Sequence, residues 1–200
     1  MASATPTEGS EVLFLAMDLV LASPWGRPEL LEGVEQLKSH EAILDVQPMR
    51  PRVFLSQTHL SSAAWHAWRA FEDGRTIANH LSVEFLLYAS GQRQIRKALK
   101  YFGLEQQVAE CTLALFLTRP TQRSELVGLV QRSFSGAEAR PVDYAREKDE
   151  LVYLARVFDY PLGGDAKQWK AGSSQKLENF VLANIGYLSF EAQTAGNASF

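Results

Sequence analysis

Apolar and polar positions alternate between two periods along this chain, and the switches between them mark its elements. Val12 to Leu21 is a continuous apolar run broken only by Asp18, and it reads as a buried strand, with a short helix as the alternative. Ser23-Pro24-Trp25-Gly26-Arg27-Pro28 is a turn-rich break. Leu30, Leu31, Val34 and Leu37 then fall at helical spacing. Ala42 to Val46 predicts a short strand, Pro48 and Pro51 an extended connection, and Val53 to Leu55 a second short strand. Thr58 offers an N-cap for a helix lined by Leu60, Ala64, Ala67, Trp68 and Phe71, which Asp73-Gly74 ends. Leu81 to Ala89 is apolar nearly all round and predicts a buried helix.

Ser90-Gly91 separates that helix from one with two stripes. Ile95, Ala98, Leu99 and Phe102 form an apolar face. Arg93, Arg96, Lys97 and Lys100 repeat the same spacing, centred roughly 160° away at 3.6 residues per turn. Gly103 stands where a left-handed C-terminal cap belongs. Val108 to Leu117 is the strongest strand pattern. Ser124 to Phe134 and Asp143 to Phe158 predict helices, separated by a loop containing Ser135-Gly136 and Pro141. After a break at Pro161 to Gly164, Ser174 caps a final amphipathic helix bearing Leu177, Phe180, Val181, Asn184, Ile185 and Leu188. Strands scattered among more numerous helices predict an α/β fold: a single domain with a small mixed β-sheet covered by several α-helices. It spans 12–192, between a disordered tail at 1–11 and a flexible tail at 193–200.

Composition adds a compartment and one asymmetry. At 200 residues, 46% hydrophobic and 22% charged, the chain is an ordinary globular protein. Cys111 is the only cysteine, which rules out an intrachain disulfide and a thiolate zinc site. No apolar run approaches the roughly 20 residues of a membrane span, and the N-terminus lacks signal-peptide character. A cytosolic or nuclear protein without membrane contact is expected. The net charge is −3, yet Arg52 to Gly103 carries seven positive against three negative residues, leaving −7 for the remainder. No acid lies between Phe85 and Leu104.

Catalytic patterns are missing. His40, His59, His66 and His80 form no metal-binding spacing, and no nucleophile elbow, P-loop or dinucleotide fingerprint occurs. Cys111 reads as a core residue. A noncatalytic protein without a cofactor is expected. The basic stripe admits two readings, a solvated outer face or an anion site, and a nucleic-acid backbone is the commonest large anion. Arg75 and Asn79 in the preceding loop, with Gln94, add groups suited to phosphates and unpaired bases. The aromatic motif of an RRM and the loop of a KH module are not present. The last helix's stripe is either core or a partner surface.

Several separated elements give the chain a resemblance. Thr58-His-Leu-Ser-Ser-Ala-Ala-Trp-His-Ala-Trp-Arg-Ala-Phe, then Gly74-Arg-Thr-Ile-Ala-Asn, then Glu84-Phe-Leu-Leu-Tyr-Ala-Ser-Gly-Gln-Arg-Gln-Ile-Arg-Lys-Ala-Leu resemble the PRPK-binding subunit family of the KEOPS (EKC) complex. Leu177-Glu-Asn-Phe-Val-Leu-Ala-Asn-Ile-Gly-Tyr-Leu is similar to that family's last helix, with Gly186 where alanine is usual. The resemblance covers Phe54 to Leu117 best and the first fifty residues least. It implies a noncatalytic α/β subunit that binds and stimulates the kinase-like ATPase of KEOPS and recruits tRNA by its single-stranded 3′ CCA end, for threonylcarbamoyl-adenosine formation in ANN-decoding tRNAs. By position, it puts RNA contacts on Arg93, Gln94, Arg96, Lys97 and Lys100, with Arg75 and Asn79 beside them. It puts the kinase-like partner on Val181, Ile185 and Leu188. A protein–protein adaptor without meaningful tRNA binding is the alternative.

Overall fold

A computed structural model describes residues 13–161, 169 and 172–197. The expected N-terminal tail and most of the segment from Pro161 to Ser173, which opens with the expected break at Pro161 to Gly164, lie outside them. The elements run β1 (Leu13–Gly26), α1 (Arg27–Lys38), β2 (Ile43–Met49), α2 (Gln57–Glu72), α3 (Leu81–Ser90), α4 (Ile95–Phe102), β3 (Gln107–Leu117), α5 (Arg123–Ser133), β4 (Ala137–Pro141), α6 (Lys148–Val157) and α7 (Ser173–Asn197).

The sheet has the order β2-β3-β1-β4. Every pairing is antiparallel, which corrects the mixed sheet expected from the sequence. β1 and β3 occupy its centre and are covered on both faces, so their sequences read as nearly continuous apolar runs, interrupted at Asp18, Glu110 and Thr112. Successive side chains go to opposite faces. Met17, Leu19, Leu113 and Leu115 meet Leu30, Val34, Leu126 and Val130 of α1 and α5. Ala16, Ala114 and Phe116 meet the layer built from α2, α3, α4, α6 and α7. Phe85 of α3 is the bolt on that side: its ring lies 5.5 Å from Phe14 and 5.6 Å from Phe116.

Several boundaries depart from expectation for local reasons. The proline-rich segment at Ser23 to Gly26 belongs to β1, whose register with β3 shifts between Val20 and Trp25. Pro48 lies inside β2, where an edge position tolerates a missing donor. Val53 to Leu55 is buried but forms no strand; Arg52, just before it, takes a left-handed φ of 61° and is held by Glu150. Ala137 to Pro141 is strand β4 rather than loop, and α6 begins at Lys148 rather than Asp143. α7 begins at Ser173, one residue before the expected cap Ser174, and continues to Asn197, into the segment expected to be a flexible tail.

The N-cap of α2 is Ser56 rather than Thr58; its hydroxyl accepts the His59 amide at 3.0 Å and donates to Glu178 of α7. The His59 ring is fully buried. Its Nδ1 accepts the Leu55 amide at 3.2 Å and its Nε2 donates to the Ala89 carbonyl at 2.9 Å. Because Nδ1 is an acceptor, the neutral Nε2–H tautomer is required. Burial accordingly pushes this imidazole down to about 4.

A group whose folded value is depressed contributes stability above its unfolded value, near 6.5, and loses it as the pH falls toward 4. Between about pH 7 and about pH 5 this histidine alone removes about 2 kcal/mol. Denaturant titrations at the two pH values should show that loss in the native chain and a smaller one in His59→Asn. Parallel profiles for the two would contradict the assignment.

Candidate functional site

The site is built from two turns that α3 holds in place. At its C-terminus, Gly91 takes φ 65°; its amide reaches Tyr88 O at 3.1 Å, and the Gln92 amide reaches Leu87 O at 3.0 Å. That pairing is a Schellman cap, which needs a residue at ease in the left-handed region. Gln94 then caps α4 through its carbonyl, which receives the amides of Lys97 and Ala98.

α4 buries only Ala98 and Phe102, with Tyr101 partly packed against the core, while Ile95 and Leu99 are exposed. The anchoring face is thus half the width the sequence stripe suggests. Gly103 does end the helix, but with an extended backbone (φ −68°, ψ 157°). Its need for glycine is one of space, since a Cβ there would sit 2.3 Å from Leu99 O. Arg96, Lys97 and Lys100 all project to solvent, and none makes an ion pair among the described residues. Lys100 Nζ lies 5.8 Å from the centre of the Tyr101 ring.

At the other end of α3, Glu84 is buried within an otherwise apolar helix. Its carboxylate accepts the amides of Ile77 and Ala78 at 3.0 and 2.8 Å, pinning the loop that carries Arg75, Asn79 and His80. Burial raises this carboxyl, and the two amides oppose the rise. The Ser82 amide, one turn away, is accepted by Asp45 of β2 at 2.8 Å. Sequence reasoning counted Glu84 only as a charge; its position inside the apolar run was the available signal.

The expected RNA residues fall into two groups. Arg75 is half-buried and paired with Asp73, and Arg93 is paired with Glu191 of α7. Asn79 and Gln94 are exposed, as are the three unpaired cations of α4. Arg93 lines a shallow recess with Ile77, Glu84, Leu87, Tyr88, Gln92 and Leu188.

The expected partner residues lie on the inward side of α7. Val181 is 1% and Ile185 0% exposed, so both are part of the chain's own core, and Leu188 is half-buried against it. The outward face of α7 instead shows Tyr187 and Phe190, both more than half exposed, with Trp65 of α2 exposed as well. Trp65, His66, Arg69, Asp73, Gly186, Ser189 and Phe190 line a groove between α2 and α7. Trp65 meets His66 edge-on at 4.8 Å, and His66 stacks on Tyr88 at 5.8 Å. His66 Nδ1 is buried without a hydrogen-bond partner among the described residues. Large aromatics placed off the apolar stripes of α2 and α7 were the readable sign of this face.

Among the described residues, no helix is long and apolar enough to cross a membrane, and no cluster of His, Cys, Asp or Glu is arranged to hold a metal ion. Cys111 is buried in β3, which pushes its thiol up to about 12. An antiparallel sheet between two helical layers, with a basic helix and an aromatic face on one side, defines an α/β binding domain. The family model for kinase binding protein CGI-121 matches residues 30–187, and the chain belongs to that family. Membership bears out the resemblance read from the middle of the sequence. Comparison with curated proteins finds no match.

Glu84→Ala leaves two backbone amides without their acceptor, one of them buried, and should lower stability by about 2 kcal/mol. Glu84→Gln retains an acceptor oxygen and should cost less. Denaturant unfolding of the two variants checks the order; equal losses would contradict it.

Proposed function

We propose that this chain is a noncatalytic subunit of a KEOPS-type complex. In this reading it binds and stimulates the kinase-like ATPase subunit and binds tRNA through the single-stranded 3′ CCA end. It thereby supports threonylcarbamoyl-adenosine formation in ANN-decoding tRNAs, in the cytoplasm and, in a eukaryote, the nucleus. Family membership supports the kinase partner. The observation that carries the RNA half is α4: an eight-residue helix with no acid in its first turn and three cations free of ion pairs among the described residues. A solvated face needs no such segregation in a chain of net charge −3.

Within this reading Arg96, Lys97 and Lys100 meet phosphates, and Asn79 and Gln94 sit where unpaired bases pass. Exposed Ile95 and Leu99 offer apolar contact that a stacked duplex would not use. The kinase-like partner takes the outward face of α7 with Trp65, because the inner face is closed. Aromatic residues at a rim of polar groups are what hot spots are made of. The adaptor alternative draws on Arg75 and Arg93 already having acidic partners.

Replacing Arg96, Lys97 and Lys100 together by Glu should abolish tRNA binding without changing the unfolding midpoint. In the native chain the slope of log affinity against log salt should include about 2 from these three cations on a single strand. tRNA lacking its CCA end should bind far more weakly. Equal binding would overturn the 3′-end mechanism, and no binding at moderate salt would select the adaptor.

Trp65→Ala with Phe190→Ala should weaken co-purification of the kinase-like subunit by at least about tenfold, the range of interface hot spots. Val181→Ala should instead lower thermal stability. Intact partner binding in the aromatic double variant would contradict the assignment.

A further inference from the structure

Arg93 differs from its neighbours on the basic stripe in one respect. Its Nη1 donates to the carboxylate of Glu191, 98 residues away on α7. Both side chains stay partly exposed, at 45% and 33%, so the pair sits at the surface beside the recess rather than in the core. Tyr187, one turn earlier on α7, donates its hydroxyl to the same carboxylate. That hydrogen bond, followed by the one from Arg93, holds the Glu191 carboxyl below its ordinary value. Glu191 is therefore ionised at neutral pH. Glu84, which lines the recess itself, is engaged elsewhere, on the amides of Ile77 and Ala78.

A segment with no acid of its own from Phe85 to Leu104 thus receives one from a distant helix, at the first cation of its stripe. A phosphate that reaches Arg93 either takes the place of this carboxylate on Nη1 or shares the guanidinium with it. In either case the carboxylate charge stays well within a Debye length, about 8–10 Å, and repels the phosphate. Resting on the RNA reading above, we infer that Glu191 is a built-in competitor for the nucleic-acid phosphate at Arg93 and sets the RNA affinity of the free chain below what its cations would give.

The sign of each change follows. Neutralising Glu191 frees Arg93 and removes the repulsion. Removing the Tyr187 hydroxyl takes one donor from the carboxylate, strengthens its hold on Arg93 and tightens the competition. Glu191 lies between the exposed aromatics of α7 and the basic turn, so a partner that places a cation on it raises RNA affinity, and bound RNA favours that partner in return.

The test measures tRNA binding by the full chain at low ionic strength. Glu191→Gln should tighten binding about two- to fivefold, the scale of an exposed ion pair. The gain should vanish when Arg93→Gln is already present, and Tyr187→Phe should weaken binding. No gain from Glu191→Gln overturns the inference. So does a gain that persists without Arg93, which would report only a change in net charge. If the native chain and every variant fail to bind tRNA, the RNA reading falls first; native binding with no response to Glu191 removes the competitor alone.

Discussion

A neutral imidazole between two backbone groups holds together the helical layer that carries the candidate site. His59 receives the Leu55 amide on one nitrogen and gives its proton to the Ala89 carbonyl with the other, while its ring edge meets Phe158 at 5.4 Å. Three parts of the chain that are far apart in sequence are fixed by this one side chain: the loop before α2, the end of α3 and the end of α6. Ala89 sits two residues before Gly91, so the bond sets where α3 stops and the direction in which the chain leaves toward α4. A charged imidazole would put a proton against the Leu55 amide. The geometry therefore depends on burial keeping the ring neutral.

From that clasp the two surfaces follow. α3 is buried on nearly every side, anchored to the sheet by Phe85 and capped by Asp45 at one end and Gly91 at the other. Both of its ends therefore point fixed loops outward. α4, anchored by buried Ala98 and Phe102 with Tyr101 packed partly beside them, carries its cations into solvent. α7 crosses α2 and α3, closes the core with Val181 and Ile185, and turns Tyr187 and Phe190 away from it. A rigid buried helix supporting short exposed elements is a sound build for recognition, since little order has to be acquired on binding.

The legible parts of the sequence were those where local pattern and tertiary burial agree. β1 and β3 are covered on both faces and show as apolar runs, α2 and α4 carry periodic stripes, α3 is apolar nearly all round, and a glycine follows each of these helices. What escaped was decided by distant partners. Val53 to Leu55 has strand composition but turns under α2, because His59 and Arg146 take its backbone groups instead of a neighbouring strand. β4 is short and polar, and exists because β1 offers an unpaired edge. Val181 and Ile185 were read as partner contacts from position alone, and only the packing of α7 over α2 shows them to be interior. On the candidate site, the cations were visible as a charge pattern, whereas the pairing of Arg93 with Glu191 spans 98 positions and leaves no local trace.

The central claim is that RNA lies along α4 and the loop pinned by Glu84. Photo-cross-linking tRNA to the full chain and mapping the modified residues by mass spectrometry tests it without altering the protein. Adducts concentrated at 75–80 and 92–101, on the 3′-terminal nucleotides, are the result this account requires. Adducts centred on α1 or α5, on the opposite layer, would contradict it.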